Sequence, residues 1–124
     1  MRIFKTRPFA RFAAGNGISD ASLRLAVHRA NIGLVDADLG GGVIKQRIAR
    51  DGEGASSGCR TVILFRRGQR AVFVHGYAKK DRDNIRRDEL MAFRDFAKEM
   101  LRLDDDGIGH ALAKGKLIEV GDDA

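Results

Sequence analysis

Two apolar runs, CRTVILFR at 59–66 and AVFVHGY at 71–77, flank the basic link Arg67-Gly68-Gln69-Arg70. Short runs rich in Val, Ile and Phe, bounded by a glycine-containing turn, predict two β-strands joined as a hairpin. Their middles are apolar at consecutive positions, not at alternate ones. Such strands need cover on both faces, which places them in the centre of a sheet. Everything else in the chain has to be arranged around that hairpin.

The flanking segments read as follows. Residues 2–6 alternate and predict a short strand. Pro8 suits the first position of a helix, with Phe9, Phe12 and Ala13 on one face and Gly15-Asn16-Gly17 at its end. Ser19 is a candidate N-cap for a second helix, whose Leu23, Val27, Ala30 and Leu34 follow helical spacing, with Gly33 near the stop. Gly40-Gly41-Gly42 interrupts the chain before a strand over 43–50. There Ile44 and Ile48 point one way, Lys45 and Arg47 the other. Residues 52–58, rich in Gly and Ser, predict a loop. A helix over 88–103 carries Leu90, Phe93, Ala97 and Met100 as its buried stripe. Asp104-Asp105-Asp106 reads as the exit of that helix, Ala111 and Leu112 as a helical turn, and 117–120 as an edge strand. The order β-α-α-β-β-β-α with a tail predicts an α+β fold. A small, twisted, mostly antiparallel sheet is packed by an N-terminal helical hairpin and a C-terminal helix. A single domain is expected over 1–124, with a core over about 1–103 and an acidic tail over 104–124.

The formal net charge of +6 hides an asymmetry: residues 1–87 hold 18 Lys/Arg against 7 Asp/Glu, and residues 88–124 hold 5 against 10. Such a surplus speaks to partners and favours a polyanion. Several classes drop out. No apolar run reaches the length of a membrane-spanning helix. The opening MRIFKTRPFARF lacks the apolar stretch of a secretory leader. The single cysteine, Cys59, allows no intrachain disulfide framework and fits a reducing cytoplasm. His28, His75 and His110 show no zinc-ligand spacing. In GHALAKGK, Gly109 and Gly115 stand one residue too far apart for a phosphate loop.

The basic strand VIKQRIAR, the G-x-R start of the next strand, and the GYAKKDRDNI exit before the last long helix carry a resemblance. With the element order, they resemble the RelE/ParE superfamily of type II toxin–antitoxin toxins, nearest its phage-derived, HigB-like branch. The resemblance implies a ribosome-dependent mRNA endonuclease. It also implies a cognate antitoxin of helix-turn-helix type, the ribosome and mRNA as partners, no membrane, and no metal or organic cofactor. The family's basic positions fall on Lys45 and Arg47, on Arg60, and on Lys79, Lys80 and Arg82. A C-terminal tyrosine used by some members has no counterpart here, since the only tyrosine is Tyr77.

RNA can be cut by its own 2′-hydroxyl, so a protein need supply only positioning, proton transfer and charge stabilisation. Arg60 suits the charge-stabilising role, because a guanidinium stays ionised and forks onto two phosphate oxygens. Lys45 is the candidate base, since a lysine among other cations yields its proton more readily than an arginine. Lys80 or Arg82 can serve the leaving 5′-oxygen, and His75 is the alternative acid or base. Arg47, Arg66, Arg67, Lys79, Arg82 and Tyr77 are the candidate RNA contacts. Strict alternation, however, puts Tyr77 on the face of Phe73 and His75 among core residues. Two rival readings stand beside this one: a ParE-like protein that inhibits DNA gyrase without catalysis, and an inert member that only binds RNA or its antitoxin.

Overall fold

A computed structural model describes residues 1–48, 58–78 and 84–121. Its elements are β1 (Arg2–Thr6), α1 (Arg7–Gly15), α2 (Asp20–Asn31), β2 (Ala37–Gly40), β3 (Val43–Ile48), β4 (Cys59–Arg66), β5 (Arg70–Ala78), α3 (Arg87–Met100), α4 (Asp105–Ala113) and β6 (Leu117–Glu119). One six-stranded sheet has the order β2-β3-β4-β5-β1-β6. Only the β1–β5 pair is parallel, so the fold is the expected α+β arrangement on a mostly antiparallel sheet.

The apolar hairpin holds the two middle places. Val62, Ile63, Leu64, Ala71, Val72 and Phe73 are all fully buried. Residues alternate between two cores. On one face Ile3, Ile44, Ile63 and Phe73 meet Phe9, Leu23 and Val27 of the helical hairpin. On the other, Phe4, Val43, Val62, Leu64 and Val72 meet Ala97 and Met100 of α3, Ile108 of α4 and Leu117. Each fully buried side chain of this size stabilises the fold by roughly 1.5–3 kcal/mol.

Local chemistry sets the helix ends. Thr6 and Ser19 accept hydrogen bonds from the amides of Phe9 and Ser22, satisfying donors that the helix itself leaves over. Gly33, at φ 92°, ends α2, where its amide reaches Ala30 and that of Leu34 reaches Arg29. This paired closure is the Schellman arrangement that a left-handed glycine permits. It turns Leu34 off the helix and leaves it 60% exposed, so Leu34 does not extend the buried stripe.

The acidic triplet also departs from expectation. α3 ends at Met100, and Asp104 begins a new helix by accepting from the Gly107 amide at 2.8 Å. A short carboxylate is a better N-cap than a helix terminator, which is why the triplet marks an entrance and not an exit. β2 is a further element the sequence does not announce, because Ala37–Gly40 holds an aspartate and a glycine within four residues. The expected edge strand is present as β6, antiparallel to β1. Most of the loop expected over 52–58 lies outside the described residues.

Two polar devices tie these layers together. Gln46 is fully buried on β3; its Nε2 donates to the carbonyls of Ala26 and Leu34, and its Oε1 accepts from the Asp36 amide. Replacing Gln46 by Leu removes three hydrogen bonds and leaves the Asp36 amide and the Leu34 carbonyl without this partner, and urea unfolding should show a loss of about 2–4 kcal/mol. Asp20 receives the Lys5 ammonium at 2.7 Å and the Gly121 amide at 2.9 Å, clasping β1, α2 and the end of the chain. Burial alone would raise the Asp20 carboxyl, but the hydrogen bonds from Lys5 and Gly121 and the nearby charges of Lys5 and Arg24 outweigh it and hold it below the usual range. A depressed carboxylate stabilises the fold above its unfolded-state value, about pH 4, and that contribution fades as pH falls through the lower folded value. Asp20→Asn should therefore flatten the acid limb of a stability-against-pH curve while leaving its shape above pH 6 unchanged.

Candidate nucleic-acid interface

Because Ile44, Gln46 and Ile48 face the helical hairpin, Lys45 and Arg47 project from the opposite face of β3, the side of α3. Strand register then decides what stands beside them. Lys45 pairs with Val62, and Val62 with His75; Arg47 pairs with Arg60, and Arg60 with Tyr77. These are two rows running across β3, β4 and β5 on one face. Adjacent strands lie about 4.8 Å apart, so each row spans roughly 10 Å, and two residues of strand separate the rows by about 7 Å.

His75 and Tyr77 reach this face only because of a β-bulge. The β4–β5 register shifts between Val62 and Ile63, leaving Val74 as the extra residue. Phe73 lies in the core under α1, with its ring 5.1 Å from that of Phe9. After the bulge, the imidazole of His75 stands 5.6 Å from Phe93 of α3 and 5.9 Å from Tyr77. Tyr77 is thus on the opposite face from Phe73, correcting the strict alternation read from the sequence. Gly76 now points at α1, where an added Cβ would collide with the Phe12 ring. Tyr77 is nonetheless 5% exposed, which leaves little of its ring open for stacking on a base.

The charges are unequal in their freedom. Arg47 pairs with Asp36 at 3.5 Å, and its amide donates to the same carboxylate at 2.7 Å. The Lys45 ammonium donates to Asn84 Oδ1 at 3.2 Å, a neutral acceptor that positions it without neutralising it. Arg60 makes no ion pair among the described residues, and its Nη1 is buried without a hydrogen-bond partner there. Asn84 was missed in the sequence; a polar residue just before a helix gives no hint that it faces a strand 39 residues earlier.

The turn arginines lie elsewhere. Arg66 donates to the Leu101 carbonyl at 3.0 Å and Arg67 to that of Asn31 at 2.8 Å, closing the ends of α3 and α2. Six residues of strand separate Arg60 from Arg66, about 20 Å, so neither turn arginine joins the rows. Lys79, Lys80 and Arg82 lie outside the described residues. Among the described residues, no group of three or more His, Cys, Asp or Glu could hold a metal ion, and no helix is long and apolar enough to cross a membrane.

The row carries a penalty, because Arg47 and Arg60 are like charges directly opposite on neighbouring strands and Arg60 is partly desolvated. Arg60→Met keeps the length and apolar stem and removes the charge. Urea unfolding should show it more stable than the unaltered chain by about 0.5–2 kcal/mol.

No curated protein matches the chain. The family described as the RelE toxin of the RelE/RelB toxin–antitoxin system matches residues 1–120, which is nearly the whole sequence, and the chain therefore belongs to the RelE toxin family.

Proposed function

We propose that this toxin is a ribosome-dependent mRNA endonuclease that stops translation in the cytoplasm. The observation that carries the reading is the pair of registered rows, with Lys45, Arg60 and His75 on one face and Arg60 free of any carboxylate among the described residues. Family membership supports it, as does the surplus of cations over residues 1–87.

In this reading a bent mRNA phosphodiester approaches the half-buried side chains of Lys45, Arg60 and His75, beside the covered Val62. Lys45, acting as its neutral amine, takes the proton of the 2′-hydroxyl, whose oxygen attacks phosphorus. The bond to the 5′-oxygen breaks, and His75 returns a proton to that leaving group. Arg60 holds the non-bridging oxygens as negative charge builds on them. Fixed donors of this kind act where charge develops, and removing one costs on the order of 10²–10³ in rate. Asn84 keeps the Lys45 side chain over the face, and Arg47, tied to Asp36, shapes the edge of the site.

Ribosomes programmed with mRNA decide the matter. The unaltered chain should cut the message in the decoding site, and Lys45→Ala and Arg60→Ala should each slow cutting by about a hundredfold or more. Intact mRNA, with both variants as toxic in cells as the parent, would discard the reading. Inhibition of gyrase supercoiling in the same preparation would put a ParE-like action in its place.

A further inference from the structure

On the β1 side of α3 a cleft of about 440 Å³ opens between that helix, the start of α1 and the turn before β6. Val74, Phe93, Phe96 and Met100 make its lining apolar, and the exposed side chains of Arg7, Glu99 and Lys116 stand around it. Among the described residues, none of those three charged groups has a side-chain hydrogen bond or ion pair. A concave surface of aromatic rings and methionine with an arginine at its edge, which has no acidic partner among the described residues, has the composition of a protein interface.

We propose that this cleft is where the cognate antitoxin docks. Family membership already supplies that partner. The chemistry of the cleft specifies the segment: amphipathic and acidic, with one or two apolar side chains set between Phe93, Phe96 and Met100. Its carboxylates lie on Arg7 and Lys116. A nucleic-acid strand fits less well, since its phosphates would face the Glu99 carboxylate, which a peptide can answer with one basic residue. Apolar anchors in such a groove supply most of the binding, and the flanking charges set orientation and rate of encounter.

Position gives the docking a consequence. Phe93 belongs to both places, lining the cleft and standing 5.6 Å from the His75 ring. A segment seated there rises beside the rows and obstructs a large RNA assembly by bulk. The docking itself does not rest on the nuclease reading; only this consequence does.

The test uses the full chain and its cognate antitoxin, with affinity measured by calorimetry and the footprint by hydrogen exchange. Protection should appear at residues 6–8 and 93–100. Phe96→Glu should weaken binding by about thirtyfold or more. Arg7→Glu and Lys116→Glu should each weaken it by about tenfold, and these two guard against misfolding. Both side chains are exposed, and an acid in the first turn of α1 favours that helix. Leu25→Glu, at a side chain 60% exposed on α2, should bind as the parent does. Unchanged affinity in the Arg7→Glu/Lys116→Glu double variant, or protection confined to α2, would overturn the proposal. So would protection of the cleft by an oligoribonucleotide but not by the antitoxin. Binding is read directly, so its failure stays distinct from a failure of mRNA cleavage.

Discussion

The β4–β5 ladder is what the rest of the molecule depends on. It is buried on both faces, so it demands a helical layer on each side, and α1–α2 and α3–α4 supply them. It also contains the one irregularity that matters for the site. Without the extra residue at Val74, His75 would face α1 and Gly76 would face α3. The bulge turns the second half of β5 over and brings an imidazole level with Lys45 across Val62. Bulges commonly re-aim side chains in this way, at the expense of a locally broken ladder.

The same ladder separates two uses of arginine that look alike in the sequence. Arg66, Arg67 and Arg70 cluster at the turn and donate to the carbonyls of Leu101, Asn31 and Met100. They close helices against the tip of the hairpin, where cations complement the negative helix ends. Arg60, at the other end of the same strand, has no such partner among the described residues. One end of the hairpin uses its charge to hold the layers together; at the other, Arg60 makes no ion pair among the described residues.

Residues 104–121 are part of this architecture. Ile108, Ala111 and Leu117 enter the core under α3, and Val120 enters the core on the other face. β6 lies against β1 through an Arg2–Glu119 pair at 2.8 Å and a bond from the Val120 amide to Ile3. The outer edge of β1 is thereby covered by the chain itself, which limits pairing with foreign strands. Two acidic residues of this segment serve local purposes: Asp104 caps a helix and Glu119 pairs with Arg2.

Much was legible in the sequence because the signals were local. The central hairpin, the cap at Ser19, the helix start around Pro8, the glycine ending α2, and the split of Ile44/Ile48 from Lys45/Arg47 all follow from periodicity and backbone chemistry within a few residues. What remained hidden depended on partners distant along the chain. The face of Tyr77 and His75 is set by a register shift against β4, the placement of Lys45 by Asn84, the restraint on Arg47 by Asp36, and the employment of Arg66 and Arg67 by helices that end 35 residues away or more. By itself, then, the sequence determined a two-faced apolar sheet with cations on its strands. Which of those cations share a face and which are spent on neighbouring carbonyls and carboxylates was decided only by tertiary pairing, because alternation predicts sidedness solely until one extra residue enters a ladder.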